Sequence, residues 1–260
     1  MTHTIRMKNV VIVGGSSGIG LAVIQNLKDC SVTNISRTPC PVAGVNNISA
    51  DVTDKAAVKK AFASADQIDT LIYCAGASLA APTELVSDKD MRKVFDVNFF
   101  GAIDCIKCAL PGLSKSDDAH IVIISSAAGV APIAYDSVYS ASKAGLLSLA
   151  SALRLELPEI KSTAVVVGGV RTQFSFKRKI YTDCGDYNEQ LKKASDSLIR
   201  IEQTGYAADF IAKKIIAVIN KKNPPPVVTV GAKNKLMLFC YKMLPWRLKL
   251  YALRKTYNLQ

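Results

Sequence analysis

Apolar positions along this chain of 260 residues follow two rhythms. Short, continuous, β-branched runs recur at Val10–Val13, Val32–Ile35, Ile68–Tyr73, Ile121–Ile124, Ala164–Val167 and Val227–Val230. Such runs, without polar alternation, suit strands covered on both faces. Between most of them lie amphipathic segments near 18–29, 54–65, 91–114, 138–157 and 205–221, each long enough for a helix. The alternation predicts an α/β fold, a doubly wound parallel sheet with helices on both faces. Between Ile35 and Ile48 the segment SRTPCPVAGVNN is rich in Pro, Gly and Asn, and predicts a loop crossover. The pattern changes near the C-terminus, where two short helical pieces divide at Pro245. We divide the chain into a main domain, 1–232, and a basic, amphipathic helical C-terminal extension, 233–260.

Charge sharpens that division. The chain carries 33 Lys and Arg against 21 Asp and Glu. From Lys221 onward there are nine basic residues (Lys221, Lys222, Lys233, Lys235, Lys242, Arg247, Lys249, Arg254, Lys255) and no acid, so the surplus of charge belongs to the tail. Positive charge without a recognisable binding module does not point to nucleic acid. No apolar stretch reaches the roughly 20 residues of a membrane-spanning helix, and no leader precedes Val10–Val13, which leads to an expected cytoplasmic location. The seven cysteines (Cys30, Cys40, Cys74, Cys105, Cys108, Cys184, Cys240) are irregularly spaced and read as reduced, small hydrophobes. Cys105 and Cys108 form a C-x-x-C inside a helical pattern, with no second pair and no histidine at ligand spacing. With only His3 and His120 in the chain, no metal site is expected.

VVIVGGSSGIGLAV, residues 10–23, reads as a strand, a glycine-rich turn and a helix start. Two chemistries need that arrangement. Gly14-Gly15-Ser16-Ser17-Gly18 fits G-x-S-x-G, the nucleophile elbow of serine hydrolases. Gly14, Gly18 and Gly20 also fit a phosphate cradle at a helix N-terminus. The elbow requires an acid and then a histidine at the same sheet edge. Only His120 follows, and it begins a strand, at the wrong end. The cradle gains support downstream. Tyr139 and Lys143 share a helix face at i and i+4, and a nearby ammonium lowers the pKa of a phenol. Such a tyrosine exchanges protons with a carbonyl or alcohol oxygen. Ser126, thirteen residues earlier at the end of a strand, can hydrogen-bond the same oxygen.

These motifs resemble the short-chain dehydrogenase/reductase family in its single-domain, non-extended, Rossmann-like form. The resemblance runs from about Lys8 to Val230 and rests on VGGSSGIG (13–20), Asp51-Val52, YCAG (73–76), Val97-Asn98, ISSAAG (124–129), Tyr139-x-x-x-Lys143 and VGGVRT (167–172). It implies that Tyr139 is the catalytic acid/base, with Lys143 lowering its pKa and binding the nicotinamide ribose. Ser126 would polarise the carbonyl, and Asn98 would hold a proton-relay water. Gly14, Gly18 and Gly20, with Ser16 and Ser17 of the same loop, would line the pyrophosphate, and Ile19 would lie beside the nicotinamide end. Asp51 and Val52 would contact adenine, Val170 and Thr172 would meet the carboxamide, and Cys74, Ala75 and Gly76 would also line the cofactor. Three positions depart from the family pattern. Val13 stands for Thr, Cys74 for Asn and Val167 for Pro, which puts local bracing of the sheet in doubt more than catalysis. The family also implies a homodimer or homotetramer through the helices near 91–114 and 138–157.

At the end of the second strand, Ser36-Arg37-Thr38 replaces the carboxylate that NAD users present to the ribose, and no acid occurs between Cys30 and Ala50. Arg37 suits a 2′-phosphate, so NADP(H) is the expected cofactor. Ala127–Tyr135 and the loop after Thr172, with Phe174 and Phe176, form mostly apolar walls and favour a hydrophobic steroid-, lipid- or aryl-like ketone, aldehyde or alcohol. Lys177, Arg178 and Lys179 read as a solvated stretch. In the tail, Leu236, Phe239, Met243 and Leu244 form one apolar face, and Leu250, Tyr251 and Leu253 part of another. That composition suits a cap over the cleft, a subunit contact or peripheral membrane contact on anionic lipid. The competing functions are an NADP-binding scaffold or regulator at a membrane surface and a 3-oxoacyl-thioester reductase.

Overall fold

The computed structural model describes residues 8–259; His3, weighed above as a ligand, lies outside them. Seven strands form one sheet: β1 (Lys8–Val13), β2 (Cys30–Ser36), β3 (Asn46–Ser49), β4 (Thr70–Tyr73), β5 (His120–Ser126), β6 (Lys161–Val167) and β7 (Val227–Thr229). Their order is β7-β6-β5-β4-β1-β2-β3, and every neighbouring pair is parallel. The order reverses beside β1. A crevice for a ligand opens at the carboxyl ends of strands at such a switch point.

The strands have no polar face because each face buries its own core. Side chains of a strand point alternately to opposite sides. Val11 and Val13 join Leu71, Ile121 and Ile123 under α2 (Lys55–Phe62), α4 (Gly101–Leu113) and α5 (Ser137–Glu156). Val10 and Ile12 join Ile72, Val122 and Ile124 under α1 (Gly18–Asn26) and α7 (Ala208–Ile219). The expected doubly wound architecture is therefore present.

Three features depart from the reading of the sequence. The crossover 37–45 is a loop as expected, but it delivers the polar edge strand β3, whose register is held in part by Asn46 and Asn47. The helix expected near 91–114 is α3 (Asp88–Phe95) followed by a π turn at Asp96–Phe100 and then α4. A further helix, α6 (Asn188–Gln203), follows the loop that leaves β6. That loop is anchored by two short parallel ladders, Leu79–Ala80 with Lys179–Ile180 and Val170–Arg171 with Tyr206–Ala207.

The C-terminal extension forms α8 (Ala232–Met243) and α9 (Trp246–Thr256). Pro245 divides them, since proline supplies no N–H to continue a helix. Asn234 and Leu238 of α8 are buried, as is Tyr257 just past α9. Asn234 lies where a Cβ on Gly168 would approach its Oδ1 to 2.5 Å, so the extension packs against the turn that follows β6.

Candidate active site

The turn after β1 is built for close approach. Gly14 has φ +84°, a conformation costly for any residue with a Cβ. A Cβ there would also come within 2.8 Å of the Ala75 amide nitrogen. At Gly20 a Cβ would stand 2.4 Å from the Gly14 carbonyl oxygen, so α1 can press onto the turn only with glycine at that place. Ser17 occupies the N-cap position of α1, yet its side chain makes no capping bond and remains free to meet an anion alongside the unpaired amides of the first helical turn. Ser16 and Ile19 are half-buried in the same turn. These are the features a pyrophosphate requires.

Asn34 braces this cradle, a role the sequence did not disclose. It is fully buried, accepts from the Gly15 amide at 2.9 Å, and donates to Ser36 Oγ and Asn47 Oδ1 at 2.9 and 2.8 Å. Ser36 in turn donates to the Thr38 carbonyl at 2.5 Å, which fixes the turn that presents Arg37. The Arg37 guanidinium is exposed, with one nitrogen 3.8 Å from Asp51 Oδ2. An exposed pair of that length contributes little, so the guanidinium can exchange partners. Asp51 accepts from the Thr53 amide and hydroxyl at 3.0 and 2.8 Å; chiefly the first bond lowers its pKa. Val52 beside it is buried.

The second half of the site lies at the ends of β4 and β5 and on α5. Ser126 ends β5 and accepts from the Ala128 amide at 3.1 Å. Tyr139 and Lys143 project from consecutive turns of α5, both buried, with Lys143 Nζ 5.7 Å from the Tyr139 ring centroid. Lys143 donates to the Ile124 carbonyl at 3.0 Å, and Ser125 donates back to the Lys143 carbonyl at 2.8 Å. Gly76 is drawn into this group: a Cβ there would lie 3.6 Å from Lys143 Nζ and 3.5 Å from Asn98 Oδ1. Asn98 sits on the π turn, fully buried. Its Oδ1 accepts from the Ala77 amide at 2.7 Å; its Nδ2 donates to the Ala77 carbonyl at 2.9 Å and Ser142 Oγ at 2.8 Å. The Asn98 side chain is thus committed to pinning the loop after β4 and tying the π turn to α5.

Electrostatics here differ from the expectation for Tyr139. Burial pushes its phenol well above the ordinary value, against a hydrogen bond with Ser126 that works the other way. The Lys143 ammonium does not reverse this, because it is turned to the Ile124 carbonyl and is itself pushed down to about 8 by burial. Cys74 is pushed up to about 12 by burial, so it stands beside Lys143 as a neutral thiol. The Cys74 amide keeps its main-chain bond to the Val13 carbonyl at 2.8 Å, so the departures at Val13 and Cys74 leave that link intact. Cys105 and Cys108 are also raised by burial, the opposite of a reactive thiol pair. His120 is buried against Thr163, 3.0 Å from its hydroxyl, and pushed down to about 3 by burial. It is a core histidine at the far end of β5 from Ser16, and the elbow reading ends there.

The loop after β6 closes the site. A Cβ on Gly18 would come 3.7 Å from Thr172, so the cradle and the Val170–Thr172 segment face one another. Phe174 donates its amide to Thr172 Oγ1 at 3.2 Å and places its ring 6.0 Å from that of Tyr139. A cleft of about 380 Å³ opens beside Thr172, Phe176 and Ile199. Arg178, expected in a solvated stretch, is buried instead. It donates to Ser78 Oγ at 2.9 Å and to both Glu202 oxygens at 2.6 and 3.4 Å, with Asp136 Oδ2 at 3.7 Å. A buried guanidinium requires such partners, and flanking Lys177 and Lys179 gave no hint of them. Asp136 opens α5 and is pushed up to about 6 by burial. Tyr257, pushed up to about 12 by burial, also feels the charges of Asp136, Arg178 and Glu202.

Residues 8–180 match the family model for short chain dehydrogenase. This chain belongs to the short-chain dehydrogenase family. The family's members are oxidoreductases that bind a nicotinamide cofactor, and this member is similar along nearly its whole length to a 3-ketodihydrosphingosine reductase of Bacteroides thetaiotaomicron, at 30% identity over 96% of this chain and 98% of that protein. Among solved structures, a short-chain dehydrogenase from Streptomyces avermitilis shares the fold with a TM-score of 0.82 at 22% identity, covering 97% of this chain and 98% of that one. ElxO with NADP bound aligns with a TM-score of 0.72 at 25% identity, over 89% of this chain and all of that one. Among the described residues of this short-chain dehydrogenase, no helix is long and apolar enough to cross a membrane, and no cluster of His, Cys, Asp or Glu could hold a metal ion.

Proposed function

We propose that this short-chain dehydrogenase reduces the ketone of a long-chain, sphingoid-like lipid with NADPH, and oxidises the alcohol by the same site in reverse. The observation that carries the chemistry is the group formed by half-buried Ser126 and buried Tyr139 and Lys143, at the carboxyl end of β5 and in the first turns of α5, facing a glycine cradle shaped for pyrophosphate. The similarity to the 3-ketodihydrosphingosine reductase over nearly the whole of both chains supports the lipid substrate. Phe174 against Tyr139 and the cleft beside Phe176 and Ile199 give apolar surface for an alkyl chain.

The residues present fit the cofactor. Gly14, Ser16, Ser17, Gly18 and Gly20 would hold the pyrophosphate, with Ile19 beside the nicotinamide end; Arg37, Thr38 and Ser36 the 2′-phosphate; Asp51 and Val52 the adenine; Val170 and Thr172 the carboxamide; and Cys74, Ala75 and Gly76 would line the cofactor where the loop after β4 meets Lys143. Bound there, NADPH supplies a hydride to the carbonyl carbon. Tyr139 donates its hydroxyl proton to the carbonyl oxygen, and Ser126 donates a hydrogen bond to the same oxygen. A phenol pushed up by burial is protonated at neutral pH, the state that reduction consumes. Lys143, whose pKa near 8 leaves it largely charged at neutral pH, stabilises the phenolate formed and binds the ribose. Asn98 fixes the loop after β4 through Ala77.

Oxidation of NADPH by 3-ketosphinganine tests this directly. Tyr139→Phe should abolish turnover with NADPH binding retained, and Arg37→Asp should weaken NADPH far more than NADH. Full turnover in the Phe variant, or an unchanged cofactor preference in the Asp variant, refutes the corresponding role.

A further inference from the structure

The C-terminal extension leaves an apolar face in water. On α8, Asn234 and Leu238 point into the protein, and Asn234 donates to the Val230 carbonyl at 2.8 Å. The opposite side presents Leu236, Phe239 and Met243, spaced i, i+3 and i+7 along one stripe. Beyond Pro245, Trp246, Leu248 and Tyr251 continue the exposure. All six are more than half exposed, and elsewhere among the described residues the large hydrophobics that are so exposed are Phe100, Leu155 and Phe176. The exposure is therefore concentrated, as it is at interaction sites.

The charge around this face selects what covers it. Residues 233–260 contain Lys233, Lys235, Lys242, Arg247, Lys249, Arg254 and Lys255, and no acid follows Asp209. A two-fold contact between copies would set each of these cations against its own kind. An anionic bilayer instead offers complementary charge at its surface and hydrocarbon just beneath it. Trp246, at the break between the helices, has the amphipathic ring that settles at headgroup depth. We infer that α8 and α9 dock this short-chain dehydrogenase on an anionic lipid surface, with Leu236, Phe239, Met243 and Trp246 entering the interface. The inference rests on exposure and charge and stands whichever ketone is reduced. Tyr257, buried just past α9, and Asn234 and Leu238 of α8 hold the extension against the main domain, so docking through the opposite face leaves that packing in place.

Trp246 is the chain's single tryptophan, so its fluorescence reports the contact without a label. The full-length protein is mixed with vesicles of phosphatidylcholine alone, or of phosphatidylcholine with phosphatidylglycerol, and followed by emission and co-flotation. Only the anionic vesicles should shift Trp246 emission to the blue and carry the protein up the gradient, and added salt should weaken both. Replacing Lys235, Lys242 and Arg247 by Gln should reduce affinity on the order of 100-fold, at about fivefold per charge. Phe239→Ser with Met243→Ser should remove the blue shift; both variants should melt as the parent does. No shift and no flotation would overturn the inference, as would equal binding to both vesicles. So would a shift that grows with protein concentration without lipid, accompanied by a doubled mass, which marks a contact between copies.

Discussion

Replacing Arg178 by Met is the perturbation whose size follows most directly from the structure. The side chain is 1% exposed, so Met retains much of its packing and removes only the charge. Asp136, equally buried, then loses its nearest cation while its Oδ1 already has no hydrogen-bond partner. Removing one partner of a buried pair costs about 3–5 kcal/mol. For a chain of this size that corresponds to roughly 6–20 °C in melting temperature. The pH dependence gives a second handle. Asp136 sits at about 6 with Arg178 present, above its unfolded value of about 3.9. The native state therefore binds more protons than the unfolded one in that window, and stability falls as pH rises from about 4 through 6, by about 3 kcal/mol. Without Arg178 the carboxyl holds its proton to still higher pH, so the gap between variant and parent should widen from about pH 5.5 to about pH 8. Asp136→Asn added to Arg178→Met should close much of that gap, since the amide cannot ionise. Thermal melts followed by circular dichroism suffice. A deficit under about 2 °C at the higher pH, or one equal at both, would refute the reasoning.

Two further outcomes are expected. Lys143 lies near 8 in the folded chain, below its ordinary 10.5, so its buried charge destabilises at neutral pH by up to about 3 kcal/mol. Lys143→Met should raise the melting temperature at neutral pH while activity collapses, the gain shrinking as pH rises from 8 towards 10.5; a variant no more stable than the parent counts against this. Asn34→Leu leaves the Gly15 amide without its acceptor and should cost about 1–3 kcal/mol and weaken NADPH binding. Calorimetric titration with NADPH checks it, and an unchanged affinity would show that Asn34 braces the sheet and not the cradle.

Most of the main sheet was legible because its strands are buried on both faces, and burial on both faces erases polar alternation. β3 was not, since Asn46, Asn47 and Ser49 are exposed edge residues held by side-chain amides. α6 escaped because its buried face mixes Leu191, Ala194 and Leu198 with Ser195 and Ser197, which blunts the apolar period. Tyr139, Lys143 and Ser126 were legible as a spacing. Their electrostatics were not: whether an ammonium lowers a phenol depends on where Nζ points and how much water remains, and Lys143 points to Ile124. Arg178 illustrates the same limit. Its neighbours in sequence are exposed lysines, and its partners Ser78, Asp136 and Glu202 come from three distant segments.

The π turn at 96–100 bears on how the length of this chain can vary. One additional residue in a helical turn rotates everything before it by about 100° relative to everything after. Deleting a residue there would restore a regular main-chain ladder from Asp88 to Leu113 and make a better isolated helix. It would also swing Val94 away from Leu79 and Val138, which it now packs against, and carry Asn98 off Ala77. A deletion in the exposed turn 114–118 has no such lever arm. Length changes of equal size should thus be neutral in one place and ruinous twenty residues away, and regularity of the helix is the wrong guide to which is which.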